Sequence, residues 1–228
     1  MKSIGKTLPK VDARANVLGA PVYVEDYRRL PGTLIVKVLR SPYAHARIRS
    51  INTRIAQKVP GVVAVFTYED APGIRYSANG CTYPESGPYD RKILDRTLRY
   101  VGDEVALVAA ETEAAARRAL RLIRVEYEVL PALLNAEESS VSDVVIHDEN
   151  DIFVPAPANG YAPKRNQISC FQINLGNADK ELAASEVVCS SVYETQAQAH
   201  AMMETLRSYT FFAPDVRLTV VASTQAPY

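Results

Sequence analysis

Residues 104–131, EVALVAAETEAAARRALRLIRVEYEVLP, decide the fold class of this chain. The run 104–110 is almost entirely apolar, which is typical of a strand buried on both faces. Thr112 suits a helix N-cap, and the apolar residues after it recur every three or four positions, which predicts a helix with one apolar face. Residues 124–129 alternate charged and apolar side chains, as a half-exposed strand does. The stretch therefore predicts a strand–helix–strand passage.

A second passage of the same kind precedes it. LIVKVL at 34–39 follows a Pro-Gly turn and reads as a strand. Asn52-Thr53 suits a cap before the short helix RIAQKV, and GVVAVFT at 61–67 reads as another strand. The two passages predict one α+β domain from about residue 17 to residue 130. The long loop 77–95 between them has the length of a functional or a mobile segment, and its residues favour neither role.

The periodic patterns stop after residue 130, and residues 131–166 read as a linker. Beyond it, CFQIN at 170–174 and VVCSSVYET at 187–195 read as strands around the short helix NADKELAAS. The final runs, LRSYTFF and RLTVVAST, flank the turn sequence APDV and predict an antiparallel hairpin. A second, mainly antiparallel domain is therefore expected.

Composition excludes several classes of function. The 26 basic and 26 acidic residues give a formal charge of zero, so no general field favours nucleic acid. No apolar run approaches the ~20 residues of a membrane span, and the N-terminus lacks the apolar run of a signal peptide. A cytoplasmic protein with neither a nucleic-acid nor a membrane partner is expected.

The cysteines and histidines offer few ligands. Cys81, Cys170 and Cys189 are far apart, which argues against a disulfide framework or a metal site, and the last two are expected to be buried core residues. His200 and Glu204 are four residues apart, so in a helix they would share a face, either as metal ligands lacking a third partner or as a hydrogen-bonded pair. We favour the pair, and we assign no metal ligand and no catalytic residue.

Motifs for hydrolysis or phosphate binding are absent. The chain contains no GxSxG, no GxGxxG after a strand and no GxxxxGK[ST]. From the residues alone, the chain is an α+β protein without a complete catalytic set.

Five segments nevertheless resemble a known family. In chain order they are GAPVYVEDYRRLPGTLIVKVLRSPYAHARI, PGVVAVFTYED, RYVGDEVALVAAETEAAARRALRLIRVEYEVLP, QAQAHAMME and VVASTQAPY. They resemble the start of the molybdenum-binding large subunit of the xanthine dehydrogenase and aldehyde oxidase family. The resemblance covers residues 19–228, nearly the whole chain.

The resemblance implies a division of the chain into domains. Residues 1–18 would be an N-terminal arm, 19–130 the α/β hammerhead domain, 131–166 a linker, and 167–228 the incomplete start of a molybdopterin-binding domain. The resemblance also implies that Gln225, in the STQ segment, reaches the molybdenum centre and binds the cofactor. His200 and Glu204, with Gln198, match a QxHxxxE-like stretch and would support the cofactor domain rather than bind metal.

The family's reaction is the hydroxylation of a purine, N-heteroaromatic or aldehyde carbon with oxygen from water. The resemblance implies molybdopterin, expected in its cytosine dinucleotide form, with electrons passing to [2Fe–2S] clusters and FAD on partner subunits or domains. The partners would be the remaining molybdopterin-binding polypeptide, an iron–sulfur subunit, an FAD subunit and a small-molecule substrate.

The family's glycine-rich GGGFGGK-like loop and late catalytic glutamate do not occur in these 228 residues. We therefore expect the chain to need further polypeptide for activity, either as a split subunit or as a truncated product. The alternative is a non-catalytic binding or assembly module that retains the hammerhead fold.

Overall fold

The computed structural model describes residues 4–20, 22–78, 87–155, 160–170, 172–173 and 175–224. The chain forms two compact units, one of residues 31–186 and one that joins residues 1–30 to residues 187–227. The helices and strands, in chain order, are α1 (Ala13–Val17), β1 (Ile35–Arg40), β2 (Ala46–Asn52), β3 (Val62–Phe66), β4 (Thr97–Leu98), β5 (Glu104–Ala110), α2 (Glu113–Leu122), β6 (Arg124–Val129), α3 (Ala136–Ser139), α4 (Ala178–Ala184), β7 (Ser208–Phe212) and β8 (Leu218–Ala222). The mixture of helices with antiparallel sheets confirms the predicted α+β class.

The 31–186 unit is built around β5, the strand predicted to be buried on both faces. β5 lies between β1 and β3 and pairs antiparallel with each of them. Helix α2 covers this sheet and buries Ala116 and Ala119. Both predicted strand–helix–strand passages are confirmed in order, although the first helix shrinks to a single 3-10 turn at Ala56–Lys58.

A second sheet has the order β4-β2-β6, with both pairs antiparallel. Strand β2 falls in the AHARIRSI stretch, whose residues predicted no helix or strand. Its inward side chains, Ala46 and Ile48, are fully buried together with Leu98 and Val105. The β5-α2-β6 passage therefore runs from one sheet to the other.

Helix α2 begins where the sequence predicted. Thr112 has an extended backbone, and its Oγ1 accepts a hydrogen bond from the Ala115 amide at 3.2 Å. We expect Thr112→Ala to lower the free energy of unfolding by about 1 kcal/mol, the usual cost of losing such a cap. Urea unfolding monitored by circular dichroism measures this, and Thr112→Ser, which retains the hydroxyl, should lose less than half as much.

The hairpin of the other unit is confirmed. β7 and β8 pair antiparallel from Ser208↔Ala222 to Phe212↔Leu218. At the turn, the Ala213 amide donates to the Arg217 carbonyl at 2.8 Å. The side chains alternate between half-buried and exposed along both strands.

Other predictions for the C-terminal part were wrong. Residues 187–195 form no strand, and neither do the described residues of 170–174. Cys170 and Cys189 are exposed, so they are not core residues. A strand needs a hydrogen-bonding neighbour and a covering layer, and among the described residues these stretches have neither; their apolar composition alone could not reveal that. The short helix is confirmed as α4.

The compact units divide the chain at other positions than the domains that the resemblance implies, and those domain boundaries stay a prediction. Residues 22–30, placed in the hammerhead domain by the resemblance, group with residues 187–227. Residues 131–155, read as linker, belong to the 31–186 unit and include α3. Within the part of the chain that is described, no helix has the length and apolar character needed to cross a membrane.

Candidate functional site

The hairpin should carry the cofactor-binding residue implied by the resemblance. Gln225 itself lies outside the described residues, as does Cys81. Strand β8 ends at Ala222, and Ser223 directly follows it. The Ser223 amide donates to the Arg207 carbonyl at 3.1 Å, while its Oγ accepts from the Arg207 amide at 3.0 Å. The same hydroxyl donates to the Thr205 carbonyl at 3.1 Å. Ser223 therefore extends the pairing of the hairpin by one residue.

His200 and Glu204 do not share a helix face, because residues 196–205 are not helical. Ala201, between them, has a left-handed backbone with φ 50°, which breaks any helical repeat. His200 is exposed. The Glu204 carboxylate is half-buried and accepts a hydrogen bond from the Val24 amide at 2.8 Å. Glu204 thus binds the N-terminal segment, an arrangement that its spacing from His200 did not predict.

Two further contacts join the N-terminal segment to the hairpin. Glu25 forms an ion pair with Arg207, and the Leu30 amide donates to the Tyr209 hydroxyl at 2.9 Å. These contacts and that of Glu204 all lie within the unit that contains residues 1–30 and 187–227.

A second region of interest lies in the 31–186 unit and consists of charged groups, most of them half-buried or less exposed, with Asp151 exposed. We call it the ionic cluster, and its members are Arg75, Asp90, Asp95, Arg99, His147, Glu149 and Asp151. Arg99 is 12% exposed; its guanidinium donates to Asp95 at 3.0 Å and to the Thr97 carbonyl at 2.9 Å, and also pairs with Glu149. Arg75 is 8% exposed and pairs with Asp151 at 2.8 Å. The two arginines therefore attach residues 146–151 to the rest of the unit.

Electrostatics within the ionic cluster shift the pKa values of three members, and the hydrogen bond from Arg75 lowers the pKa of one of them, Asp151. Burial lowers the pKa of His147 to about 4, and the positive charge of Arg99 adds to this effect. Its Nδ1 lies 3.5 Å from Glu149 Oε2 and its Nε2 lies 3.9 Å from Asp90 Oδ2. Burial alone would raise the pKa of Asp95, but the hydrogen bond and charge of Arg99 outweigh it and hold that pKa below its ordinary value. At neutral pH the cluster thus contains a neutral imidazole among paired charges.

A cavity of about 270 Å³ adjoins His147. Asn166, on its wall, has φ 52° and is hydrogen-bonded through its side chain to the backbone at Ile146, Ser139 and Val144. Among the described residues, the buried Tyr161 hydroxyl and His147 Nδ1 have no hydrogen-bond partner. The wall of the cavity carries polar groups beside apolar ones, and the cavity is large enough for ordered water, which would satisfy these atoms.

The described residues do not form a metal centre. No three histidine, cysteine, aspartate or glutamate side chains within the described ranges are grouped so that they could hold a metal ion. In the ionic cluster, Arg75 and Arg99 pair with the carboxylates of Asp95, Glu149 and Asp151, which suits a structural role. Sequence reasoning did not identify this cluster, since its residues belong to no motif and Arg99 and Glu149 are 50 positions apart.

Two family models match the chain in succession. The model described as aldehyde oxidase and xanthine dehydrogenase, a/b hammerhead domain, matches residues 18–131. The model of the molybdopterin cofactor-binding domain matches residues 161–228.

Curated proteins and solved structures of the same kind are similar to the chain. "Probable hypoxanthine oxidase XdhD" of Escherichia coli O157:H7 is 35% identical over 100% of this chain and 26% of its own length. The xanthine dehydrogenase molybdenum-binding subunit of the same organism is 33% identical over 96% of this chain and 28% of its own length.

Among solved structures, the aldehyde oxidoreductase from Desulfovibrio gigas superposes with a TM-score of 0.72 and 26% identity, over 94% of this chain and 23% of that one. The chain spans about a quarter of the length of these proteins. With a family model matching residues 18–131, half of its length, the chain belongs to the aldehyde oxidase and xanthine dehydrogenase family.

Proposed function

We propose that this chain is the N-terminal part of the molybdenum-binding large subunit of a molybdenum hydroxylase. The observation that carries the proposal is the order of the two matched domains, hammerhead first and molybdopterin-binding second, in a chain whose fold resembles that of an aldehyde oxidoreductase over 94% of its length. The predicted boundaries, 19–130 for the hammerhead domain, 131–166 for the linker and 167–228 for the start of the cofactor domain, are part of this proposal.

The proposed reaction is the hydroxylation of a purine, N-heteroaromatic or aldehyde carbon with water. The similar proteins named as a probable hypoxanthine oxidase, a xanthine dehydrogenase subunit and an aldehyde oxidoreductase support this substrate class. Molybdopterin in its cytosine dinucleotide form would supply the redox chemistry, and iron–sulfur and FAD subunits would receive the electrons. A cytoplasmic location, expected from the sequence, belongs to the same proposal.

The described end of the hairpin does not by itself form a binding site for an anionic pterin. The Ser223 hydroxyl is occupied by contacts with residues 205 and 207, and the Arg207 guanidinium pairs with Glu25. We therefore derive no chemical step from the described residues, and assign Gln225 only as the proposed contact to the cofactor.

We propose that the remaining molybdopterin-binding polypeptide packs against the outer face of the hairpin. Phe212, Leu218 and Val220 all lie on the exposed face of the two strands, and they are 69%, 60% and 57% exposed. An isolated two-stranded hairpin is at best marginally stable, so an apolar face of this kind favours a covering layer.

The Gln225 assignment has a direct test. In the assembled enzyme, Gln225→Ala should lower kcat about 10- to 100-fold while the molybdenum content stays the same, because one hydrogen bond near the reacting centre is lost. Steady-state kinetics and metal analysis of the purified complex measure both quantities. An unchanged kcat in Gln225→Ala would show that Gln225 does not contact the cofactor.

The function itself is tested by native mass spectrometry of this chain, mildly tagged and purified from the cell that makes it. We expect molybdenum, a flavin subunit and an iron–sulfur subunit to accompany it. If the chain arrives alone and without metal, the alternative of a non-catalytic binding or assembly module replaces the proposal.

A further inference from the structure

We propose that residues 22–30, which we call the arm segment, hold the end of β8 in place, the end from which the chain continues toward Gln225. Glu204 and Ser223 act as positioning residues in this arrangement. The catalytic consequence rests on the proposed function of Gln225, whereas the mechanical part stands on contacts within one compact unit.

The first step is the attachment of the arm segment to residues 204–209. The Glu204 carboxylate accepts from the Val24 amide at 2.8 Å in a half-buried position, and the Tyr209 hydroxyl accepts from the Leu30 amide at 2.9 Å. Both donors are backbone amides, so these bonds fix the path of the arm and not merely a side chain. The arm is itself ordered at its start by a 3-10 turn, Val24–Asp26, in which the Asp26 carboxylate accepts from the Tyr23 amide at 2.8 Å.

The contacts of the arm segment differ in strength. A hydrogen bond from a half-buried amide to a carboxylate is among the stronger kinds in proteins. In the Arg207–Glu25 ion pair, the two side chains are 44% and 58% exposed. An ion pair this exposed contributes little to stability. Glu204 is therefore the residue on which the attachment of the arm depends most.

The second step leads from residues 205–207 to Ser223. Arg207 and Ser223 bond reciprocally, with the Arg207 amide donating to Ser223 Oγ at 3.0 Å and the Ser223 amide donating to the Arg207 carbonyl at 3.1 Å. The Ser223 hydroxyl also donates to the Thr205 carbonyl at 3.1 Å. These bonds lie beyond Ser208↔Ala222, the last pair of the β7-β8 ladder. They close the end of a hairpin that would otherwise fray.

The two steps share one short segment. Glu204, which binds the arm, directly precedes Thr205, which binds Ser223. Residue 225 is two peptide bonds beyond Ser223. A displacement of residues 204–207 should therefore reach Ser223 and the end of β8 through the Ser223 hydrogen bonds.

Hydrogen exchange by mass spectrometry tests this coupling on the chain together with the proteins that copurify with it. The readout is the exchange rate of the peptide that follows residue 217. We expect Glu204→Ala and Ser223→Ala each to raise it about tenfold, the effect of losing one well-formed hydrogen bond at a strand end. Glu204→Gln and Ser223→Thr keep an acceptor oxygen or the hydroxyl and should restore most of the protection. Glu25→Gln, which breaks only the exposed ion pair, is the matched control and should change it less than twofold.

A molybdenum-containing complex adds a second readout. There, Ser223→Ala should lower kcat about tenfold with unchanged KM and molybdenum content, and Ser223→Thr should restore it. Unchanged exchange in Glu204→Ala would overturn the proposed coupling. Raised exchange with unchanged kcat would overturn the positioning role and leave a purely structural contact. If the complex lacks molybdenum, the proposed function fails, and the exchange rates still decide whether the arm segment holds the end of β8.

Discussion

Replacement of Arg99 by methionine should lower the free energy of unfolding of the 31–186 unit by about 2–4 kcal/mol, somewhat less than the roughly 3–5 kcal/mol lost when one partner of a fully buried ion pair is removed, because these side chains keep some exposure. Arg99 is 12% exposed, and the carboxylates it contacts, Asp95 and Glu149, are each 19% exposed. Methionine retains much of the aliphatic volume but leaves both carboxylates without their main partner. The backbone carbonyls of Thr97 and Ile146 also lose a donor.

Arg117→Met is the matched control for this experiment. Arg117 pairs with Glu113 at 2.7 Å, but both side chains are more than half exposed, at 62% and 51%. Such an exposed pair on a helix surface contributes little to stability. Urea unfolding followed by far-ultraviolet circular dichroism measures both variants, and equal losses of stability would contradict a structural role for the ionic cluster.

Acidification should destabilise the same unit through His147. Its pKa is lowered from an ordinary value of 6.5 to about 4, mainly by burial and then by Arg99 and Arg75, against the opposing charges of Asp90 and Asp95. Between these two pH values the folded state binds fewer protons than the unfolded chain. The free energy of unfolding is therefore unaffected by His147 above about pH 6.5 and falls as the pH approaches 4. The full difference between the two pKa values corresponds to a loss of at most about 3 kcal/mol.

His147→Gln isolates this contribution, because glutamine stays neutral over the whole range. We expect the variant to lose about 2 kcal/mol less stability than the unaltered chain between pH 7 and pH 4.5. His200→Gln is the matched control, since His200 is exposed and lies outside the ionic cluster. Unfolding curves at several pH values provide the comparison. Parallel pH profiles for His147→Gln and the unaltered chain would show that the imidazole is not buried in its neutral form.

The elements that the sequence predicted correctly are those whose signals are local. The cap at Thr112, the helix α2 after it and the apolar run of β5 are encoded within twenty consecutive residues. The β7-β8 hairpin also closes through a turn of adjacent residues. Periodicity and turn chemistry act over such short distances, so they can be read directly.

The failures concern elements that need distant partners. Strand β2 pairs with β6, about eighty positions further on. Without that neighbour, its short alternating run is only a weak signal for a strand. The apolar segment 187–195 looked like a strand and is not one, since no described neighbour pairs with it. His200 and Glu204 looked like a pair at helical spacing, whereas the carboxylate binds the Val24 amide, 180 residues away.

The candidate sites divide along the same line. The family and the role proposed for Gln225 came from the resemblance of five segments, which requires residue identities in order and no coordinates. The ionic cluster and the attachment of the arm segment to Glu204 have no such signature, because Arg75, Arg99 and Glu149 come from separate parts of the chain.

By itself, the sequence determined the α+β class, the two strand–helix–strand passages, the terminal hairpin and the family. Only the tertiary structure decided which strands share a sheet, which charges are brought together and which segment contacts Glu204 and Tyr209. The physical reason is that burial and ion pairing depend on side chains brought together across long loops, whereas helix caps, turns and strand periodicity depend on neighbours in the chain.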